Sequence, residues 1–242
     1  MNLMIDFGNS ALKWCLWGRT GVADHGAIDL MALESGLRGL EWNSIEAVFL
    51  CSVADKDVTQ AVLVFCDSLS SSVCRIREVD LVNLPVWFSL ESTSREQIGK
   101  DRVMAMLGAF SEAQNYCVID AGTACTFDYV VSGQHQGGYI IPGLALSRDS
   151  LNTKTAGVGL VEGQIYSAKL EPGRDTRQAV EHGIRMALVA ACQSAIREAH
   201  FPLHRIVLTG GDSAWLAGHL SGPVDVSPNL VFEGIRRFFR EP

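Results

Sequence analysis

No apolar run in this 242-residue chain approaches the length needed to cross a membrane, so no spanning helix is expected. Basic charge is also scarce. Against 27 Asp and Glu there are 20 Lys and Arg, a net charge of −7, which argues against the basic face that non-specific nucleic-acid binding requires. Cysteine pairs at C-x-x-C spacing are missing. The seven cysteines are an odd count, and Cys15, Cys51, Cys66, Cys117 and Cys192 sit among apolar residues, where a reduced thiol packs as a small hydrophobe. A disulfide framework and a zinc site are therefore not expected, and a reducing cytoplasmic setting is. The histidines show no metal-binding spacing, since Pro202 breaks the helix face that His200 and His204 would share. Asp6 interrupts the first apolar run too early for a signal peptide. No low-complexity linker divides the chain.

What is present is a globular composition, 48% hydrophobic and 19% charged, with a motif that occurs twice. One constant offset carries Ile5 onto Ile119, Asp6 onto Asp120, Gly8 onto Gly122 and Asn9 onto Thr123. Each copy is an apolar run, then Asp-x-Gly, then a small polar residue and a second strand-like run, which predicts a hairpin with a carboxylate at the end of its first strand. Residues 2–7, 11–17 and 21–30 read as strands, followed by a strand at 47–53, a helix at 55–69 and a strand at 73–79. After an irregular stretch, a helix is predicted over 100–114 with Val103, Met106, Leu107 and Phe110 on one face. The second half repeats the plan, with strands at 116–120, 124–131 and 137–141, a helix after Gly143 and a glycine-containing loop over 156–174. A long helix at 176–200, a strand at 205–208, a helix after Asp212 and a final helix through Phe239 complete it. This order predicts two α/β domains, 1–116 and 117–242, with the final helix able to pack back on the first and a ligand cleft between them. Arg236, Arg237 and Arg240 read as a solvated face of that last helix.

The first turn offers Gly8 for close backbone approach, Asn9 and Ser10 as short donors, Lys13 as a point charge and Asp6 as a ligand for hydrated Mg²⁺. The same residues would also make an ordinary hairpin with a surface lysine. In the second turn Thr123 is suited to a phosphate and Asp120 to a cation, while Asp128 shares a strand face with Thr126 and either lines a cleft or caps a loop. Thr209-Gly210-Gly211-Asp212 would let a flat ring lie on backbone, or make a tight strand-to-helix turn. Gly99-Lys100-Asp101-Arg102 opens a helix. Asp101 there can accept a proton from a hydroxyl and Arg102 can fork onto a carboxylate, although a capping Asp beside an Arg is the commoner meaning. Gly137-Gly138 marks close approach of a backbone or a ligand. Thr176, at the start of the long helix, is suited to N-capping.

Together these residues resemble the type III pantothenate kinases of the acetate and sugar kinase, Hsp70 and actin superfamily. The resemblance rests on D-F-G-N-S-x-x-K at 6–13, G-K-D-R at 99–102, D-A-G-T-A-x-T-x-D at 120–128, G-G-Y-I-x-P-G at 137–143 and T-G-G-D at 209–212. It implies duplicated ribonuclease H-like, actin-like domains, each a mixed sheet flanked by helices, with the nucleotide cleft between them. It implies ATP-dependent phosphorylation of pantothenate to 4′-phosphopantothenate, the first step of coenzyme A synthesis. By matching position, Asp6, Phe7, Gly8, Asn9, Ser10, Ala11, Leu12 and Lys13 would bind ATP, with Mg²⁺ reached by Asp6 through the phosphates. Thr123 would take a further phosphate oxygen, and Asp120 a monovalent cation, potassium or ammonium. Asp101 would accept the hydroxyl proton. Gly99, Lys100, Asp101, Arg102 and Thr176 would hold pantothenate, and the family is a homodimer whose pocket is partly formed by the neighbouring protomer. The family's usual tyrosine before this turn is Ser92 here, and a smaller Val103 follows Arg102, so either Trp87 or Phe88 rebuilds the pocket or its fit is altered. Alternatives are another small-molecule kinase of the superfamily or a catalytically idle accessory protein. The presence of Asp6, Asp101 and Asp120 together argues against the second.

Overall fold

The structure, a computed structural model, describes residues 1–70, 74–90, 95, 97–111, 114–155 and 170–239. The chain runs through β1 (Asn2–Phe7), β2 (Ala11–Gly18), β3 (Gly21–Asp29), α1 (Leu33–Arg38), β4 (Ala47–Ser52), α2 (Lys56–Leu69), β5 (Arg75–Glu78) and α3 (Lys100–Ala109). It continues through β6 (Tyr116–Ala121), β7 (Ala124–Val131), β8 (Gln134–Pro142), α4 (Leu144–Lys154), α5 (Thr176–Arg197), β9 (Arg205–Thr209), α6 (Ser213–Ala217), β10 (Val224–Val226) and α7 (Leu230–Phe239). Two compact units result, Met1–Phe110 with Asn229–Pro242, and Ser111–Pro228.

Each unit contains one five-stranded mixed sheet, and the two share a topology. The order is β3-β2-β1-β4-β5 in the first and β8-β7-β6-β9-β10 in the second. In both, the opening strand pairs antiparallel with the next strand and parallel with a later one. A strand flanked on both sides and covered on both faces has no polar face, which is why β1, β4 and β6 read as continuous apolar runs. Leu3, Ile5 and Leu50 anchor one core, Ile119, Phe127 and Leu208 the other. The helices contribute less evenly. α2 buries only Thr59, Val62 and Cys66, with Asp55 capping its start, whereas α3 is enclosed from Val103 through Ala109.

Several elements depart from the sequence reading. β8 begins at Gln134, because Ser132 (φ 49°) and Gly133 (φ 78°) form a two-residue turn that pairs Val131 with Gln134. Gly138 answers the question left open for the paired glycines. A Cβ there would lie 1.9 Å from the Phe127 carbonyl oxygen, so another backbone is the close neighbour. α3 stops at Ala109 instead of running to 114. The Arg237 guanidinium takes the carbonyls of Leu107 (3.0 Å) and Phe110 (2.6 Å), closing the helix end with a cation. Arg236 lies over the Trp17 ring at 5.5 Å, so neither arginine belongs to a merely solvated face. Arg240, most of the 156–174 loop and Ser92 lie outside the described residues.

α7 packs on α3 at van der Waals contact of the two backbones. A Cβ on Gly234 would lie 1.8 Å from the Met104 carbonyl oxygen, and one on Gly108 would lie 2.1 Å from that of Leu230. No rotamer change can relieve a clash with backbone, so the helices must separate. Gly234→Ala is expected to cost about 2–3 kcal/mol and lower Tm by roughly 5–10 °C in calorimetry. An unchanged Tm would show that this interface is not close-packed.

Candidate active site

In the first unit the nucleotide-loop candidates surround the end of β1. Asp6 is the single charge in this strand, only 7% exposed. It stands directly across the β1–β2 ladder from Lys13, whose Nζ lies 4.0 Å from Asp6 Oδ2. The Gly8 N–H donates to the Ala11 carbonyl at 3.1 Å and closes the turn, with Asn9 and Ser10 exposed at its tip. Phe7 and Leu12 send their side chains into the core, so only their backbone faces the turn. Two of the eight predicted loop residues thus spend their side chains on the core.

The start of α3 lies at the same end of this sheet. A Cβ on Gly99 would fall 2.4 Å from Asp101 Oδ1 and 3.8 Å from Val53 Cγ1, just past β4. Glycine at 99 therefore makes room for the carboxylate. Asp101 Oδ1 accepts from the Arg102 N–H at 2.8 Å, in the first helical turn, where the helix dipole favours an anion. Asp6 pairs in register with Cys51 on β4. Burial pushes the Cys51 thiol well up, and the negative charges of Asp6 and Asp101 push it the same way. Asp6 and the start of α3 thus share the C-terminal edge of the parallel strands, where α/β sheets hold ligands. Lys100 points elsewhere, its Nζ 2.6 Å from Glu78 Oε1. Phe88 is buried, and Trp87 stacks on Phe110 with centroids 4.1 Å apart. Phe110 ends α3, roughly 13 Å along the axis from Asp101, so the helix carries the Trp87 contact away from the Gly99–Arg102 turn.

The second unit gathers its candidates around the end of β6. Asp120 lies in register with Thr126 on one side and Thr209 on the other. A Cβ on Gly210 would come within 2.5 Å of Asp120 Oδ1, and one on Gly122 within 3.5 Å, so glycines line the space beside this carboxylate. Thr123 is exposed in the turn. Gly143, capping α4, donates its N–H to the Thr123 carbonyl at 3.0 Å, and a Cβ on it would strike the Gly122 oxygen at 2.1 Å. Asp128 is buried and 2.9 Å from His135 Nε2, which settles the choice left open for it in favour of structure. Thr176 is not the cap of α5. Asp175 is, accepting from the Gln178 N–H at 2.8 Å, and Thr176 lies exposed at the mouth of a cavity between α4 and α5.

A buried charge cluster went unnoticed in the sequence. Glu181 on α5 is 1% exposed and receives a two-pronged bond from Arg148 on α4, Nε to Oε1 at 2.5 Å and Nη2 to Oε2 at 3.0 Å. Arg185, one turn along α5, bonds the same carboxylate and lies over the Trp215 ring of α6 at 5.7 Å. Burial pushes the Glu181 carboxyl up, but the two guanidiniums outweigh it and hold the group below the usual carboxylate range. Asp212, nearby, is raised by burial against the pull of Arg185 and Arg148. The only sequence trace was the Glu181/Arg185 spacing on one helix. Arg148, 33 positions away, gave none.

Comparison with known proteins places this geometry in a family. The family model described as type III pantothenate kinase matches residues 2–198. Among curated relatives, the type III pantothenate kinase of Marinobacter nauticus is 32% identical over 254 residues, covering 98% of this chain and 97% of that protein. That of Psychrobacter cryohalolentis is 31% identical over 246 residues, with coverage of 98% and 97%. Solved structures agree on the fold. A Campylobacter jejuni protein described as a Baf family transcriptional activator superposes with TM-score 0.66 at 17% identity, covering 99% of this chain and 98% of that one. A Sinorhizobium meliloti protein described as a 2-dehydro-3-deoxygalactonokinase gives 0.59 at 14% identity, covering 99% and 98%. With a family model spanning most of its length and relatives above 30% identity along nearly all of it, the chain belongs to the type III pantothenate kinase family.

Proposed function

We propose that this chain transfers the γ-phosphoryl group of ATP to the primary hydroxyl of pantothenate, giving 4′-phosphopantothenate at the entry to coenzyme A synthesis, with Asp101 as the proton acceptor. The observation that carries the assignment is the placement of Asp6, across from Lys13 and in register with Cys51, at the same end of the first sheet as the start of α3, where glycine at 99 clears the Asp101 carboxylate. Phosphoryl transfer asks a protein for position and charge compensation more than for covalent chemistry. Asp101 lies at a helix N-terminus, where the dipole favours the anion, and as a carboxylate it can take the hydroxyl proton as the oxygen attacks. Lys13 supplies positive charge to the phosphates, and the backbone of residues 7–12 with the short donors of Asn9 and Ser10 completes the turn around them. Thr123 offers a hydroxyl to a further phosphate oxygen.

The donor set fits the expected ions. Among the described residues no group of three or more His, Cys, Asp or Glu could cage a metal, which suits Mg²⁺ bound mainly by nucleotide phosphates with Asp6 as its protein carboxylate. Bound there, Mg²⁺ would neutralise charge on the transferring group. Asp120, with glycines beside it and a threonine instead of a lysine across the ladder, fits a monovalent cation such as potassium or ammonium. Gly99, Arg102 and Thr176 are assigned to pantothenate. Lys100 is assigned with them, and its bond to Glu78 would have to open first. A homodimer is supported by apolar side chains on one side of this unit, where Tyr139 is 59% exposed on the β8 face that Ile141 shares and Leu151 of α4 is 38% exposed at the rim of a cavity of about 830 Å³ with Thr176 at its mouth. A second copy seated there would bring its own residues close to Thr176. Deeply buried cysteines with thiol pKa values pushed upward, such as Cys66 at about 12, are inert and fit a cytoplasmic enzyme.

Asp101→Asn is expected to lower kcat by about 10²–10⁴-fold while ATP affinity changes less than about threefold, measured by ATP consumption and by nucleotide titration. Full activity in that variant would remove Asp101 from the role of base. Turnover is expected to fall when potassium or ammonium is replaced by a bulky organic cation, and Asp120→Ala to abolish that dependence. Equal rates in both salts would refute the cation assignment. Tyr139→Glu should shift the protein to monomer in light scattering and raise the pantothenate KM, and a dimer that survives would place the interface elsewhere.

A further inference from the structure

The two turns beside Asp120 are each backed by a helix, and both helices lead to one carboxylate. The Gly122–Thr123 turn rests on the start of α4 through the Gly143 N–H. The Gly210–Asp212 turn leads directly into α6, with the Asp212 N–H donating to Ala121 at 3.1 Å. α4 is poorly held by apolar packing. Among the described residues Leu144 is the one buried apolar side chain of this helix, and a cavity of about 830 Å³ lies between its inner side and α5. The fork of Arg148 on Glu181 ties it directly to α5. The same carboxylate holds Arg185, whose guanidinium lies over Trp215 on α6.

We propose that Glu181 is a positioning residue for the nucleotide and cation turns, locking α4 and α6 onto α5 so that Thr123 and the glycines beside Asp120 keep their places. The proposal rests on the assignment of Thr123 and Asp120 given above. A two-pronged ion pair sets both the distance and the rotation of α4, which a loosely packed apolar contact cannot. Burying a carboxylate between two guanidiniums adds little net stability, but removing it leaves two cations without their counter-charge. The consequence should appear at the ATP side of the reaction and not at the Asp101 side, which belongs to the other unit.

The test compares the wild type with Glu181→Gln, Arg148→Lys and Val189→Ala, the last a buried core residue of the same helix used as a stability control. Expected for Glu181→Gln is at least a tenfold rise in ATP KM with pantothenate KM within twofold, and a matching loss in direct calorimetric titration with ATP alone. Val189→Ala should lower Tm but leave both KM values near wild type. An unchanged ATP KM in Glu181→Gln overturns the proposal, as does an equal rise in Val189→Ala. Should Glu181→Gln fail to fold, Arg148→Lys decides, since it keeps the charge and loses the fork. A rise of threefold or more in ATP KM supports the proposal and no change refutes it. If the wild type consumes no ATP with pantothenate, the activity reading fails by itself, and the titration with ATP alone still judges Glu181.

Discussion

A strand buried on both faces and both edges can carry a charge only at its end or against a buried polar partner, as Asp128 of β7 does against His135. β1 and β6 are such strands, and each spends its last positions on an aspartate followed by a glycine turn. Moved two residues earlier, Asp6 would sit where Met4 is, fully enclosed with no water or partner to pay for its desolvation. Confining the carboxylate to the strand end fixes what can surround it: the turn that follows, the residue across the ladder and the end of the parallel neighbour. For Asp6 these are Gly8, Lys13 and Cys51, and for Asp120 they are Gly122, Thr126 and Thr209. The chemistry of each unit follows from that short set.

The two copies are not equivalent, and the cause is one residue of turn. Four residues, 8–11, separate the paired Phe7 and Leu12, whereas three, 122–124, separate Ala121 and Cys125. A shift of one along a ladder exchanges inward and outward faces, so the offset that aligns Asp6 with Asp120 cannot also align their partners. Asp6 meets an ammonium and Asp120 meets a hydroxyl-bearing side chain. The proposed assignment of phosphates and Mg²⁺ to the first carboxylate and of a monovalent cation to the second rests on this difference of one turn residue, which gives the two different neighbours across the ladder.

The sheet plan was legible because fully buried strands are continuous apolar runs and the turns between them carry glycine, so nearly all strands were placed within a few residues. β10 was missed because Val224–Val226 is too short to show a period, and the early start of β8 because Ser132-Gly133 is a weaker turn signal than Asn-Gly. α3 was read as amphipathic and found enclosed. Periodicity reports one covered face, and nothing local says that a helix from more than a hundred residues away will cover the other. The charged residues were least legible. Arg236 and Arg237 looked like solvent-facing charge, and Arg148, Glu181 and Arg185 drew no reading, because burial of an ion pair depends on partners that only the fold assembles. The glycines, by contrast, spoke accurately. Gly99, Gly138, Gly143 and Gly210 each lie where a Cβ would strike a carboxylate or a carbonyl.

The placement of Asp101 depends on the end of the chain. α3 projects that carboxylate from its first turn, and the position of a first turn is set by whatever holds the rest of the helix. Here α7 does so, through two glycines that remove any space between the helices and through Arg237, which takes the carbonyls at the far end of α3. Gly108 and Gly234 act from opposite sides of the same contact, so neither helix can slide along the other without driving a peptide oxygen into an α-carbon. A second tie runs through Arg77, whose guanidinium lies over Phe239 and Phe49 and fastens the same helix to β4 and β5. The match to the family model ends at residue 198, well before this helix. The segment outside the recognised pattern therefore anchors the helix that bears the assigned base, and a fold built from two sequential halves is completed only when the last helix of the second half returns to the first.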